Sequence, residues 1–248
     1  RDGKLAILPR AITVAAAPQS KVYGEADPAL TYTTTSGSLA GSDAFSGSLS
    51  REGGNTAGTY AITQGTLALN GNYTLTYTGN NLTITPKTLT ASLTGTVSKV
   101  YDGNTSAAVT SANYNLTGVE TAGAANVSLN HAAEGTYDNA DVGTNKTVTV
   151  EGLTLSGPAA GNYTLASNTA SAAVGTITSR AIAVTAASKT KVYGEADPAL
   201  TYTITSGTLA GSDAFSGSLS REGGENAGTY AITQGNLALN GNYNLTYT

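Results

Sequence analysis

At 248 residues the chain has room for about two or three small domains. Its charged residues make up only 11 % against roughly 25 % in an ordinary soluble domain, and its formal net charge is −4. With no cluster of Lys or Arg, it lacks the concentrated basic face that nucleic acid or an anionic membrane needs. No apolar run approaches the roughly 18 residues of a membrane-spanning helix, and no membrane insertion is expected. The absence of Cys rules out a disulfide framework and any thiolate metal site. A chain free of Cys and Met and rich in Thr and Asn suits a protein that crosses membranes unfolded and then sits in an oxidising exterior. Position 1 is Arg and no signal peptide is visible, so the chain is expected to be a piece of something longer.

In chain order, the first predicted element is an alternating strand of Lys4, Leu5, Ala6, Ile7 and Leu8, stopped by Pro9. A new alternating strand starts at once with Arg10-Ala11-Ile12-Thr13-Val14. Pro at a strand terminus ends one ladder without removing a bond inside it. Lys21-Val22-Tyr23-Gly24-Glu25-Ala26-Asp27-Pro28 follows. Its Asp-Pro pair reads as a turn start, with the Asp side chain bonding backbone N–H groups. The carboxylate pair Glu25 and Asp27 also suits acid–base work or Ca²⁺ binding. A short helical turn capped by Ser42 is predicted over Ser42-Asp43-Ala44-Phe45. Turns are predicted at Glu52-Gly53-Gly54-Asn55, Asn70-Gly71-Asn72 and Gly79-Asn80-Asn81, with Tyr73, Leu75 and Tyr77 alternating with Thr as a strand. Leu82-Thr83-Ile84-Thr85-Pro86-Lys87 then repeats the opening pattern of strand, Pro and basic residue. Further on, Val148, Val150 and Leu153 mark a strand with a turn at Gly152, and Gly157-Pro158 marks another turn. Ile177-Thr178-Ser179-Arg180 gives the junction pattern a third time, with Ser in place of Pro. Tyr and Leu are expected to supply most of the core.

Internal repetition organises these elements. Residues 21–78 and 191–248 differ only at Thr34/Ile204, Ser38/Thr208, Asn55/Glu225, Thr56/Asn226, Thr66/Asn236 and Thr74/Asn244. A different unit lies between them and echoes both ends of the pattern. Ser98-Lys99-Val100-Tyr101-Asp102-Gly103 answers Ser20-Lys21-Val22-Tyr23-Gly24-Glu25, and Gly161-Asn162-Tyr163-Thr164-Leu165 answers Gly71-Asn72-Tyr73-Thr74-Leu75. The predicted organisation is a last strand of a preceding repeat over 1–9, then repeats over 10–86, 87–179 and 180–248, joined with essentially no linker.

The Lys-Val-Tyr-Gly-Glu-Ala-Asp-Pro units, with their Ala-Gly-Thr-Tyr and Gly-Asn-Tyr strings, resemble the MBG repeats (YGX type) of large bacterial exoproteins. The middle unit, with Lys-Val-Tyr-Asp-Gly-Asn and Gly-Asn-Tyr-Thr-Leu, is similar to the YDG repeat. The resemblance covers essentially the whole chain. It implies a mostly-β chain of tandem small β-grasp-like domains, with immunoglobulin-like β-sandwiches as the alternative. It also implies a stalk in filamentous-haemagglutinin-like or biofilm adhesins, secreted to the bacterial cell surface, with no enzyme activity, no catalytic residue and no cofactor.

Read residue by residue, the chemistry points the same way. His131 is the single His, so a Ser-His-acid relay could exist only in the middle unit, and a loop or strand-end His is the plainer reading. Glu134, Asp138 and Asp141 place three oxygen donors within one short stretch as Ca²⁺ candidates, without the EF-hand spacing. Lys21, Lys99 and Lys191 precede Val-Tyr in every repeat. They suit either a Lys–Asn cross-link, which needs an Asn and a carboxylate nearby, or an edge Lys that discourages sheet-to-sheet pairing. Asn72, Asn81, Asn104 and Asn162 head Asn-x-Ser/Thr strings that could accept glycans, as do Asn115, Asn126, Asn145 and Asn244. The expected function is a non-catalytic spacer, and the rival reading is a glycan- or protein-binding module. Expected partners are neighbouring repeats or copies of the chain, head to tail, and extracellular polysaccharide. Aligning the repeats sets Leu5 with Leu82 and Ile7 with Ile84, and leaves the repeat over 180–248 without that strand. Strand donation by Lys4, Leu5, Ala6, Ile7 and Leu8 into the last repeat of another copy is therefore expected.

Overall fold

A computed structural model of the chain describes residues 3–121 and 126–248, so positions 1 and 2 of the expected leading strand lie outside the described residues. The fold is mostly β, as the alternation and the Thr, Val, Ile and Tyr content require. Short 3-10 turns stand at Ser111–Asn113 and Ala160–Asn162, and no α-helix is present among the described residues. The chain divides into two compact units. One comprises Arg1–Thr90, Leu116–Asn130 and Thr154–Ala166; the other comprises Ala91–Asn115, His131–Leu153 and Ser167–Thr248.

In the first unit the opening repeat carries β1 (Arg10–Ala16), β2 (Gln19–Val22), β3 (Tyr32–Ser36), β4 (Ser50–Arg51), β5 (Gly58–Thr63), β6 (Tyr73–Thr78) and β7 (Asn80–Thr85). One sheet has the order β3-β1-β6, with β1 antiparallel to β3 and parallel to β6. That parallel pair departs from the antiparallel sheets of an immunoglobulin sandwich. The second sheet has the order β2-β7-β5-β4. In it β7 is the centre: it runs parallel to β2, with Leu82 opposite Gln19 and Ile84 opposite Lys21, and antiparallel to β5, with Leu82 opposite Tyr60 and Ile84 opposite Gly58. Alternation sends Leu82 and Ile84 inward, where they are 0 % and 1 % exposed, and Leu82 packs with Ile12, Val14, Ile62 and Leu67.

Two local expectations need correction in this repeat. Gly79-Asn80-Asn81 is not a turn. Gly79 alone separates β6 from β7, and the extended chain passes from one sheet into the other, with Asn80 Nδ2 donating to the Ala16 carbonyl at 3.2 Å. Nor does Ser42 cap a helix. Gly41 and Ser42 form a turn closed by the Asp43 N–H on the Ala40 carbonyl. The Asp43 carboxylate then accepts from the Tyr73 hydroxyl at 2.7 Å and from Asn70 Nδ2. The core also differs from the Tyr-and-Leu expectation. Ile, Val and Leu fill its fully buried positions, whereas Tyr32, Tyr73 and Tyr77 are half-buried around it. Tyr77 keeps its hydroxyl on the Ile62 carbonyl, as a buried phenol must.

The middle repeat contributes β8 (Lys87–Leu93), β9 (Val97–Val100), β10 (Ser106–Ala108), β11 (Tyr114–Thr117), β12 (Ser128–Asn130), β13 (Glu134–Tyr137), β14 (Gly143–Val150), β15 (Thr154–Ser156), β16 (Tyr163–Leu165) and β17 (Ala170–Thr178). Within the first unit, β8 runs parallel to β16, with Lys87 opposite Tyr163 and Leu89 opposite Leu165, and Leu89, Val127 and Tyr163 form a second buried cluster. Within the second unit, β10-β13-β14-β17-β9 make one sheet. Val148, Val150 and Ile177 are buried in it, as is Tyr137, which lies opposite Val148 and donates its hydroxyl to the Val97 carbonyl. The register slips along β14 at Lys146, where Asn145 takes a left-handed φ of 55°.

The last repeat carries β18 (Arg180–Ala186), β19 (Tyr202–Ser206), β20 (Ser220–Arg221), β21 (Ile232–Thr233) and β22 (Tyr243–Tyr247). Its β19-β18-β22 sheet matches β3-β1-β6, parallel pair included. The other sheet consists only of β20 and β21.

Candidate functional site

The residues that recur from repeat to repeat converge where a repeat meets the next. In the first unit Tyr23 packs edge-on against Tyr163, with ring centroids 5.2 Å apart, and joins the cluster around Leu89. The Asn162 side chain, one residue earlier, accepts the Ala57 N–H at 2.8 Å. Tyr163 accepts the Glu120 N–H on its hydroxyl, and Glu120 pairs with Lys87. Gly24 sits at φ 90° with the Glu120 side chain where a Cβ would go, so the Gly after Tyr serves both the turn and the approach of the next repeat. Burial raises the Tyr23 phenol above its ordinary pKa, and the neighbouring Tyr163 adds to the effect.

The second unit contains the same arrangement. Tyr101 packs edge-on against Tyr243 at 5.4 Å, and Asn242 Oδ1 accepts the Val142 N–H at 2.8 Å. Both hydroxyls, of Tyr101 and Tyr243, donate to Asp213, at 3.0 and 2.7 Å. Burial again raises both phenols. Arg180, the basic residue after the junction, reaches back to the Tyr101 carbonyl. Each joint is thus built from the Tyr of Lys-Val-Tyr and an N–H beside Gly-Thr on one repeat, and from Asn-Tyr of Gly-Asn-Tyr on the next. The covalent connection at each joint is one residue, Pro86 between β7 and β8 and Ser179 between β17 and β18.

Counterparts of these joint residues stand on the two outer repeats. Asn72 is exposed at the Gly-Asn-Tyr of the first repeat, and Tyr73 beside it is half-buried. On the last repeat Val192 and Tyr193 are 67 % and 72 % exposed. Beside them runs a groove of about 480 Å³ lined by Lys189, Lys191, Gly228, Tyr230 and Ile232 among others. In the first repeat the counterparts of these residues flank β7. Residues 4–8, expected as a strand, take part in no ladder, and Leu5, Ile7 and Leu8 are 89 %, 89 % and 82 % exposed.

The recurring lysines hold the loop that follows them. Lys21 Nζ meets Asp27 at 2.7 Å with its side chain only 8 % exposed, so it is not a solvated edge charge. Arg51 meets the other oxygen of Asp27. Arg51 first, then Lys21, holds the Asp27 carboxyl down to about 2. Arg221 and Lys191 do the same for Asp197, also to about 2. Glu225, where the first repeat has Asn55, adds a carboxylate between the two cations. Lys99 meets Asp102 at 2.7 Å and, in addition, Asn104 Oδ1 at 2.9 Å.

Glu134, Asp138 and Asp141 do not converge. Glu134 is exposed at the start of β13, Asp138 pairs with Lys146, and Asp141 accepts from Asn242 Nδ2. Among the described residues no group of three His, Asp or Glu side chains is placed to hold a metal. His131 stacks on Tyr114 at 4.3 Å. Of the glycan candidates, Asn72 and Asn81 are exposed, and Asn104 is exposed with its amide oxygen on Lys99. Asn162 is corrected: it is 8 % exposed and its oxygen is taken by Ala57, so the fold has no room for a glycan there.

No curated protein and no solved structure matches this chain. The MBG domain (YGX type) matches residues 12–83 and 182–248, and the YDG domain matches residues 85–172. These spans contain every Tyr and Asn of the two joints, and the chain belongs to the MBG (YGX type) and YDG domain families, in the order MBG, YDG, MBG.

Proposed function

We propose that this chain is a structural spacer, a run of non-catalytic β repeats that holds an adhesive element away from a bacterial surface. The observation that carries the reading is the joint. The same Tyr-on-Tyr and Asn-on-backbone contacts occur twice, in different sequence surroundings, with one residue of connection each time. A connection that short, backed by packed aromatics, removes the freedom that a flexible linker would give. A composition without Cys or Met supports reading the spacer as secreted to the cell surface.

Small-angle scattering tests the spacer directly. The longest strand of each repeat has 7–9 residues, which at about 3.3 Å per residue span roughly 23–30 Å, so a stiff particle approaching about 100 Å is expected. A compact globule or a broad ensemble overturns the reading. A glycan array and a Ca²⁺ titration should come out empty, with no change in melting temperature on adding EDTA. Specific polysaccharide binding would favour the adhesive-module alternative instead.

A further inference from the structure

We propose that the middle repeat forms an amide cross-link within the chain, between the Lys146 amine and the Asn139 side chain, with loss of ammonia. The bond ties β14 to the loop whose Asp141 and Val142 meet Asn242 of the last repeat. The inference concerns a covalent modification, so it can fail while the spacer reading stands.

The site begins with a lysine on the core face of a strand. Among the described Lys and Arg residues only Lys146 is buried, at 7 % exposed, in line with Val148 and Val150 on β14. The backbone is distorted to place it there. The register of β14 shifts on both sides of Lys146, and Asn145 before it is the only non-glycine residue with a left-handed φ among the described residues. Outliers of this kind persist where the surroundings hold them, and they concentrate at functional sites. The Lys146 amine lies 2.5 Å from Asn139 Oδ1 and 3.1 Å from Asp138 Oδ1. The Asp141 N–H donates to the same Asn139 oxygen at 3.0 Å, which polarises the carboxamide. An amine, a carboxylate and an amide with an N–H on its oxygen are the nucleophile, base and oxyanion donor that acyl transfer requires.

The step balances without a further reagent. Asp138 takes one proton from the Lys146 ammonium, and the freed nitrogen attacks Asn139 Cγ. Negative charge gathers on Oδ1, where the Asp141 N–H holds it. Collapse breaks the Cγ–Nδ2 bond, and Asp138 returns its proton to the leaving nitrogen. The second proton of the new amide nitrogen passes through Asp138 to the departing ammonia, so an ammonium and a carboxamide become a secondary amide and an ammonium ion. Asn139 is exposed and its Nδ2 meets no acceptor among the described residues, which leaves the ammonia a path to solvent. Lys99 supplies a contrast. It has a similar trio of Asp102, Asn104 Oδ1 and the Ser106 N–H on that oxygen, but its amine also meets the Asn104 carbonyl at 2.7 Å. Each N–H of that ammonium thus has an acceptor, whereas Lys146 has two acceptors for three N–H groups among the described residues. Lys21 and Lys191 have no Asn on their amines at all among the described residues.

Intact mass spectrometry of the full chain, after prolonged incubation at neutral pH, tests this. Wild type should be lighter than its sequence by one ammonia, about 17 Da. Trypsin should cut after Lys99 and Arg180 but not after Lys146, leaving residues 100–180 as one fragment. Asn139→Ala and Lys146→Arg should each restore the full mass, and Asp138→Asn should slow closure about a hundredfold. Lys99→Arg should keep the loss. Hydroxylamine, which opens a succinimide at an Asn-Gly pair such as Asn70-Gly71, should also leave the loss in place. A wild type at its full mass overturns the proposal, and so does a loss that survives Asn139→Ala or that hydroxylamine removes. The wild-type mass decides by itself, so a variant that fails to fold leaves the test intact.

Discussion

The first and last repeats share nearly all their letters from Lys21 and Lys191 onward, yet one forms a four-stranded second sheet and the other a two-stranded remnant. The difference is β7. It is the strand against which β2 pairs and the one that completes β5, and where it is missing Val192 and Tyr193 stand in solvent and the ladder shortens to β21. The β19-β18-β22 sheet survives intact, because its parallel pair is internal to the repeat. A small β repeat of this kind therefore consists of one self-sufficient sheet and one that depends on a single strand.

The largest expected effect breaks that contrast from the side of the first repeat. Leu82→Ala removes a fully buried side chain at the centre of β7 and should cost about 2–5 kcal/mol. Hydrogen exchange should show β2 and β5 losing protection while β1, β3 and β6 keep theirs, so that the first repeat comes to resemble the last. Uniform loss across the repeat would argue against two separable sheets. Next in size is Tyr163→Ala, at about 3 kcal/mol, since Tyr163 is 5 % exposed and Tyr23 rests on it. Asn162→Ala should cost about 1–3 kcal/mol, because it leaves the Ala57 N–H without its acceptor. Asn72→Ala, in the same motif but exposed, should change the stability of the single chain by no more than about 0.5 kcal/mol. Chemical denaturation measures all four.

What the sequence made legible was what is local: strand alternation at Tyr73, Leu75 and Tyr77, and the turns at Asn70-Gly71-Asn72 and Gly157-Pro158. The joint was only half legible. Gly-Asn-Tyr recurs visibly at 71, 161 and 241, but the partner of Asn162 lies 105 residues earlier and that of Asn242 lies 100 earlier, beyond any periodicity. For the same reason Asn162 read as a surface glycan acceptor. Lys21 read as an edge guard because its partner Arg51–Asp27 is assembled by a loop, and Ser42 read as a cap because the competing claim of Tyr73 on Asp43 is not local either.

Acid titration should show a smaller effect, common to both outer repeats. Asp27 and Asp197 have carboxyls lowered to about 2 in the fold from an ordinary 3.8, through Arg51 and Arg221 first and then Lys21 and Lys191. The folded state thus holds these protons less readily than the unfolded state. The stability this provides is fully present above the ordinary carboxylate range, and is lost as pH falls from about 4 through about 2. Both carboxylates are partly exposed, so the drop in melting temperature should be modest, and Asp27→Asn should flatten part of it. A pH profile indifferent to that substitution would remove the ion cluster from the account. Smallest of all is Tyr193→Ala, which should leave the melting temperature of the single chain unchanged, in contrast to Tyr23→Ala in the first repeat.

The central claim is that an Asn side chain of one repeat holds a backbone amide of the repeat before it. Amide exchange at Ala57, Val142 and Ala227 tests it most directly. These three N–H groups precede equivalent Gly-Thr positions and lie outside the described strands, and Ala227 has no such Asn acceptor among the described residues. In the wild type, Ala57 and Val142 should be protected and Ala227 should exchange at loop rates. Asn162→Ala should release Ala57 alone, and Asn242→Ala should release Val142 alone. Equal exchange at all three in the wild type, or protection of Ala57 that survives Asn162→Ala, would contradict the joint.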